Sequence, residues 1–122
     1  IKLSAAVKPN VLAAKNRWFQ DWQLWLENRI IDFVVPMNYF KEINDFNNSI
    51  MSIKNNINNQ DINKIIMGIG AYNQDAQSAA DKIYLTRLNG FTGVSIFSYD
   101  SHKNNLDWFL PVIEALGQPI IE

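Results

Sequence analysis

Three of the four tyrosines in this chain lie at the ends of short apolar runs: Tyr39 closes IIDFVVPMNY, Tyr72 closes KIIMGIGAY and Tyr99 closes TGVSIFSY. A phenol offers a flat apolar face on which a pyranose ring can stack, and a hydroxyl that can exchange hydrogen bonds with sugar oxygens. Polar groups stand beside these positions. Asn38 precedes Tyr39, Asp100 follows Tyr99, and Lys8 and Asn10 follow the first apolar run, IKLSAAV. Asp100 is the only acid immediately after such a run; Glu42 and Asp75 fall a few residues into the next segments. Glycoside hydrolysis usually needs two carboxyls, about 5–5.5 Å apart for retention and about 6.5–9.5 Å for inversion. One acid is half of that requirement.

The apolar runs must be strands for these groups to converge, and the chain alternates strand with helix. Ile1–Val7 reads as the first strand, stopped by Pro9 and Asn10, and Asn10 can cap a helix over roughly Val11–Asn28. Trp18, Phe19, Trp22, Trp25 and Leu26 share one side of that helix, a bulky stripe suited to packing on a sheet rather than to a sugar platform. The second strand, from Ile30, reaches Pro36, which removes a ladder donor and frees the next residues to face a cleft. Ile43, Phe46, Ile50, Ile53 and Ile57 predict a second helix, and the asparagine-rich Asn55–Asn63 its solvated end and a loop. Lys64–Ala71 is the third strand. Asp75–Asn89 is the third helix, with Ala76, Ala79, Ala80, Ile83 and Leu88 inward and Gly90 as its stop. Thr92–Tyr99 is the fourth strand. The last helix starts near Asn104 and runs to Leu116, unless Pro111 places its start later.

Such an alternation predicts right-handed crossovers and a parallel sheet, hence an α/β fold. An open doubly wound sheet needs two aliphatic faces, whereas a barrel strand faces helices on one side and the interior on the other. Leu3, Ala5 and Val7 oppose Ser4, Ala6 and Lys8. Ile65, Met67 and Ile69 oppose Gly68, Gly70 and Tyr72, and Val94 and Ile96 oppose Ser95, Phe97 and Tyr99. The second strand fits less well, since Phe33, Val35, Met37 and Tyr39 form a bulky inner set. This asymmetry favours four βα units of a TIM barrel, half of the eight. Barrel enzymes place reacting groups at strand carboxyl ends, which retains Lys8, Asn10, Asn38, Tyr39, Tyr72, Tyr99 and Asp100 and makes Asp32, at a strand start, a structural acid or loop residue.

Composition narrows the classes further. The 122 residues fit one domain with 48% hydrophobic and 19% charged residues, as in ordinary globular proteins. A net charge of −1 without a basic block argues against nucleic acid as partner. No apolar run is long enough to span a bilayer, and no signal peptide is present. The absence of cysteine excludes disulfides and thiolate chemistry without fixing the compartment. The abrupt start inside a strand suggests a piece of a longer protein. No cofactor or metal motif is found: Gly68-Ile69-Gly70 lacks the third glycine of a dinucleotide fingerprint, and there is no P-loop or Cys/His cluster. A phosphate site at the last two strands, using Gly68, Gly70 and Ser98, is permitted but not demanded. His102, the sole histidine, reads as a loop residue.

AAVKPN (Ala5–Asn10), QDWQLWL (Gln20–Leu26), IIDFVVPMNY (Ile30–Tyr39), GIGAY (Gly68–Tyr72) and GVSIFSYDS (Gly93–Ser101) together resemble the bacterial glycosyl hydrolase-like family 10, the DUF187 group. The resemblance implies the last four βα units, the C-terminal half, of a TIM-barrel protein of the cell envelope. It further implies hydrolysis of a bacterial or environmental polysaccharide by the complete barrel. The family's acidic block has no counterpart here and would precede Ile1. Met37-Asn38-Tyr39 is also similar to the Met-x-Tyr of chitinase-like barrels, whose tyrosine stabilises a charged intermediate, although Phe40 replaces the usual acid. On this basis Tyr39 and Asp100 are the catalytic candidates, and Lys8, Asn10, Asn38, Tyr72 and Tyr99 bind substrate. Each keeps a plainer alternative: rings that plug a barrel mouth, an Asp100 that caps a turn, a Lys8 that is a solvated strand end. The implied partners are carbohydrate and either the N-terminal half or a second copy, because a half-barrel has two open edges. An architectural or purely carbohydrate-binding module is the other reading.

Overall fold

In a computed structural model, which describes residues 1–120, the chain is mixed α/β with short parallel strands. Strand β1 (Ser4–Val7) pairs parallel with β2 (Phe33–Pro36), and β3 (Ile66–Gly70) pairs parallel with β4 (Gly93–Phe97). Two isolated parallel bridges, Val34 with Ile65 and Met37 with Gly68, connect β2 to β3. Neighbours therefore follow chain order, but the pairing is two short ladders joined at two points. Pro36 accounts for part of that interruption: it has no N–H, and its carbonyl accepts the Asn38 N–H at 2.9 Å. The Met37 N–H meanwhile donates back to Val7 O at 2.8 Å. At the opposite end Asp32 Oδ2 accepts the Leu3 N–H at 2.6 Å, so this acid fastens the start of β2 to β1.

Side-chain parity divides the strands largely as read from sequence, with the correction that Leu3, expected on the helix-facing side, is exposed, while Gly68 and Gly70 on the other face are buried. Val7, Val34, Ile65, Met67 and Ile69 are buried against the helices, while Ser4, Ala6, Ser95 and Phe97 on the other face are exposed. Helix α3 (Ile43–Asn56) inserts Phe46, Ile50 and Ile53, all fully buried; burying side chains of this size contributes about 1.5–3 kcal/mol each. Helix α4 (Ala76–Leu88) is capped by Asp75, whose Oδ1 accepts the Ser78 N–H, and ends at Gly90 with φ +90°. It buries Ala79, Ala80 and Ile83, but Leu88 is exposed, a correction to its expected inward face.

The first helix is two helices. Helix α1 (Val11–Trp18) ends where Phe19 takes a left-handed conformation, φ 57°, and α2 (Trp22–Glu27) restarts with Asp21 accepting the Leu24 N–H. The bulky stripe is broken with it: Trp22 and Leu26 are fully buried, whereas Trp18 and Phe19 face solvent. The Asn55–Asn63 stretch holds the end of α3 and most of a 3-10 helix (Asn59–Lys64). Asp61, in that 3-10 helix, is buried and paired with Lys64 Nζ at 3.1 Å. Helix α5 (Leu110–Gly117) starts later than Asn104, with Pro111 in its first turn, where a missing N–H costs nothing.

Candidate aromatic site at the strand ends

The carboxyl ends of β2, β3 and β4 bring three rings together. Tyr39 and Phe97 stack with centroids 5.6 Å apart and planes 11° from parallel. Tyr72 meets both edge-on, at 6.2 Å from Tyr39 and 6.3 Å from Phe97. Tyr72 and Phe97 nevertheless keep 57% and 55% of their surface open, so ring faces remain available to a ligand. Tyr39 is half-buried, and that burial, with Tyr72 as a second cause, pushes its phenol pKa above the ordinary 10.0. It is therefore a neutral hydrogen-bond donor at physiological pH.

Glycines make this approach possible. A Cβ on Gly68 would lie 2.6 Å from Pro36 O and 3.1 Å from the Tyr39 ring, and one on Gly70 would lie 2.9 Å from Asn73 Oδ1 and 3.3 Å from the Tyr72 ring. The space that these glycines leave is thus taken by the protein's own strand and rings. The loop after β3 is tied to Tyr39: Asn73 Nδ2 donates to Tyr39 O at 2.8 Å, and Gln74 Nε2 donates to Gly70 O at 2.5 Å.

Tyr99 does not join this trio. After Phe97, whose peptide bond to Ser98 is cis, the chain enters a 3-10 turn (Tyr99–His102), and the Tyr99 ring stacks on Phe109 at 6.0 Å. A second aromatic group forms there, with His102 flat against Trp108 at 4.0 Å and Phe109 edge-on to both. His102 Nε2 lies 2.8 Å from Ala71 O; because a carbonyl only accepts, the proton sits on Nε2. This bond ties the second group to the end of β3. Asp100 is exposed in the same turn and makes no side-chain hydrogen bond or ion pair among the described residues.

Asn38 faces away from the rings. It is fully buried on the helix-facing side of β2, its amide 3.6 Å from Met67 Sδ and its Oδ1 without a partner among the described residues. Asn10 caps α1, its Oδ1 accepting the Ala13 N–H at 2.9 Å. Lys8 has its backbone pinned by Gln20 and Trp22, and its ammonium lies 4.5 Å from the centre of the Trp18 ring. It borders a cleft of about 340 Å³ shared with Pro9, Met37, Tyr39 and Phe40. A larger hollow, about 530 Å³, lies between α4 and α5 and includes none of the rim rings. Among the described residues no three His, Cys, Asp or Glu side chains gather as a metal site would need.

No family model, curated protein or solved structure matches the chain at a significant level.

Phe97 is the residue that sequence reasoning missed. It shares inner-face parity with Ser95 and Tyr99, and that parity was the available signal. No helix among the described residues is long and apolar enough to cross a membrane.

Proposed function

We propose that this chain is the substrate-binding half of a glycoside hydrolase acting on a polysaccharide, built as the C-terminal four βα units of a TIM barrel. The observation that carries the reading is the Tyr39–Phe97 stack with Tyr72 edge-on, gathered at strand carboxyl ends with two rings half open. Sugar rings stack on such faces, and the neutral Tyr39 hydroxyl can donate to a sugar oxygen or stabilise charge developing beside it. Parallel strands in chain order, with one face against helices and the other bearing small and aromatic groups, support the barrel reading. The free edges of β1 and β4 would pair with the N-terminal half, or with a second copy in its absence. The principal carboxylate would come from that N-terminal half, with Asp100 positioning a sugar hydroxyl or orienting that acid. The family resemblance adds an extracytoplasmic, bacterial cell-envelope setting.

The test is calorimetric titration with chitotetraose and cellotetraose. Binding of either that weakens about 5- to 30-fold in Tyr72→Ala or Phe97→Ala supports the rim as a sugar platform, the equivalent of about 1–2 kcal/mol per ring. Unchanged affinity in both variants removes the rim from the site. Asp100, exposed and without a side-chain partner among the described residues, favours a second reading, a carbohydrate-binding or architectural module without chemistry. Joined to the N-terminal half, a hydrolase loses turnover on Asp100→Ala or Tyr39→Ala, whereas a binding module has no turnover to lose.

A further inference from the structure

Lys82, in the middle of α4, is fully buried. Its ammonium donates to three neutral oxygens: Lys41 O at 2.7 Å, Ser78 Oγ at 2.9 Å and Gln74 Oε1. Three N–H bonds meet three acceptors, and among the described residues no carboxylate touches the head group. Burial lowers its pKa from the usual 10.5, while Glu42, Asp81 and Asp75 at longer range partly oppose that shift. A methionine would fill the same space without desolvating a charge. What the lysine adds is three directed donors.

The origin of the acceptors gives those donors a purpose. Lys41 lies two residues after Tyr39, in the loop leaving β2, and Gln74 lies two residues after Tyr72, in the loop leaving β3. Gln74 passes the connection on to Gly70 O, and Asn73 closes the other side by donating to Tyr39 O. Both loops are therefore fastened to α4 through one head group and to each other through one amide.

We propose that Lys82 is the positioning residue of the aromatic rim, its ammonium holding the loops after β2 and β3 together and so setting the separation of Tyr39 and Tyr72. It touches no ligand and acts only through Lys41, Gln74 and Ser78. The loop-tying stands independently of what binds; its consequence for affinity rests on the sugar-binding reading.

The test compares the full chain with Lys82→Met by NMR. Tyr39 and Tyr72 ring protons should lose their mutual contact and their ring-current shifts, while the methyl signals of Ile50 and Ile53 stay in place. A residue that only filled the core would lower the melting temperature without moving the rings. Affinity for whichever of chitotetraose or cellotetraose the wild type binds should fall about tenfold. If Lys82→Met fails to fold, Gln74→Ala, in a half-buried loop, removes the acceptor instead and should produce the same ring changes. A folded Lys82→Met, or Gln74→Ala in its place, with the Tyr39–Tyr72 contact intact overturns the proposal. Wild-type protein that binds neither sugar overturns the sugar reading alone, and the ring signals still decide the role of Lys82.

Discussion

Substituting Gly68 by alanine tests how closely β3 lies against β2 beneath the rim. The added methyl would sit 2.6 Å from Pro36 O and 3.1 Å from the Tyr39 ring. A backbone oxygen cannot swing aside as a side chain can, so β2 must retreat about 0.4 Å merely to reach the closest separation real contacts tolerate. The bridge between Met37 and Gly68 is one of the two isolated bridges that join β2 to β3 among the described residues, so that retreat strains the junction itself. Overpacking of this kind costs about 1–3 kcal/mol, which for a domain of this size lowers the melting temperature by roughly 4–12 °C. Gly117→Ala is the control: a methyl there meets nothing within 4 Å among the described residues, in the last turn of α5, and the change should be neutral or mildly stabilising. Urea denaturation supplies the free energies, and near-ultraviolet circular dichroism should change for Gly68→Ala as the Tyr39 ring is displaced. A loss under about 0.5 kcal/mol, no larger than a surface substitution gives, would refute the close packing of the strands.

Phe19→Gly should stabilise the chain by about 0.5–1 kcal/mol, because the exposed Phe19 holds φ 57° at the end of α1 and glycine adopts it without strain; urea midpoints measure this. Asn38→Leu should change stability by less than about 1 kcal/mol and leave sugar affinity unaltered, since it removes a buried amide whose Oδ1 has no partner among the described residues; a loss of sugar binding would return Asn38 to the site. Tyr39 should ionise above 10.0 in an ultraviolet titration. Since the folded chain keeps that proton longer than the unfolded one, this contribution to stability is complete below pH 10.0 and is lost as pH rises through the folded value; Tyr39→Phe should abolish that part of the slope.

The strands and the two central helices were legible because each is more buried on one face than on the other: alternation marked β1, β3 and β4, although the inward side chains of β4, Val94 and Ile96, are only half-buried, and the three-four spacing of Phe46, Ile50 and Ile53 marked α3. The break between α1 and α2 was not, because hydrophobic spacing runs straight through Phe19 while the backbone does not. Asp21, an N-cap two residues later, was the overlooked signal. Strand ends located Tyr39 and Tyr72 but misplaced Tyr99, since strand parity ends at Phe97, where the chain turns. Asn38 obeys parity more strictly than its polarity suggested and points to the core. Lys82 was invisible for a different reason: its acceptors are a carbonyl and two side chains, two of them from distant loops, and no local pattern encodes that meeting.

The central claim is that the rings at the strand ends form a platform for sugar. Its most direct measurement is an aromatic NMR titration of the chain with chitotetraose and cellotetraose. The account predicts that Tyr39, Tyr72 and Phe97 shift together along one saturating curve while Tyr84, on α4, stays fixed. Saturable binding that moves other residues and leaves those three rings unperturbed would contradict it.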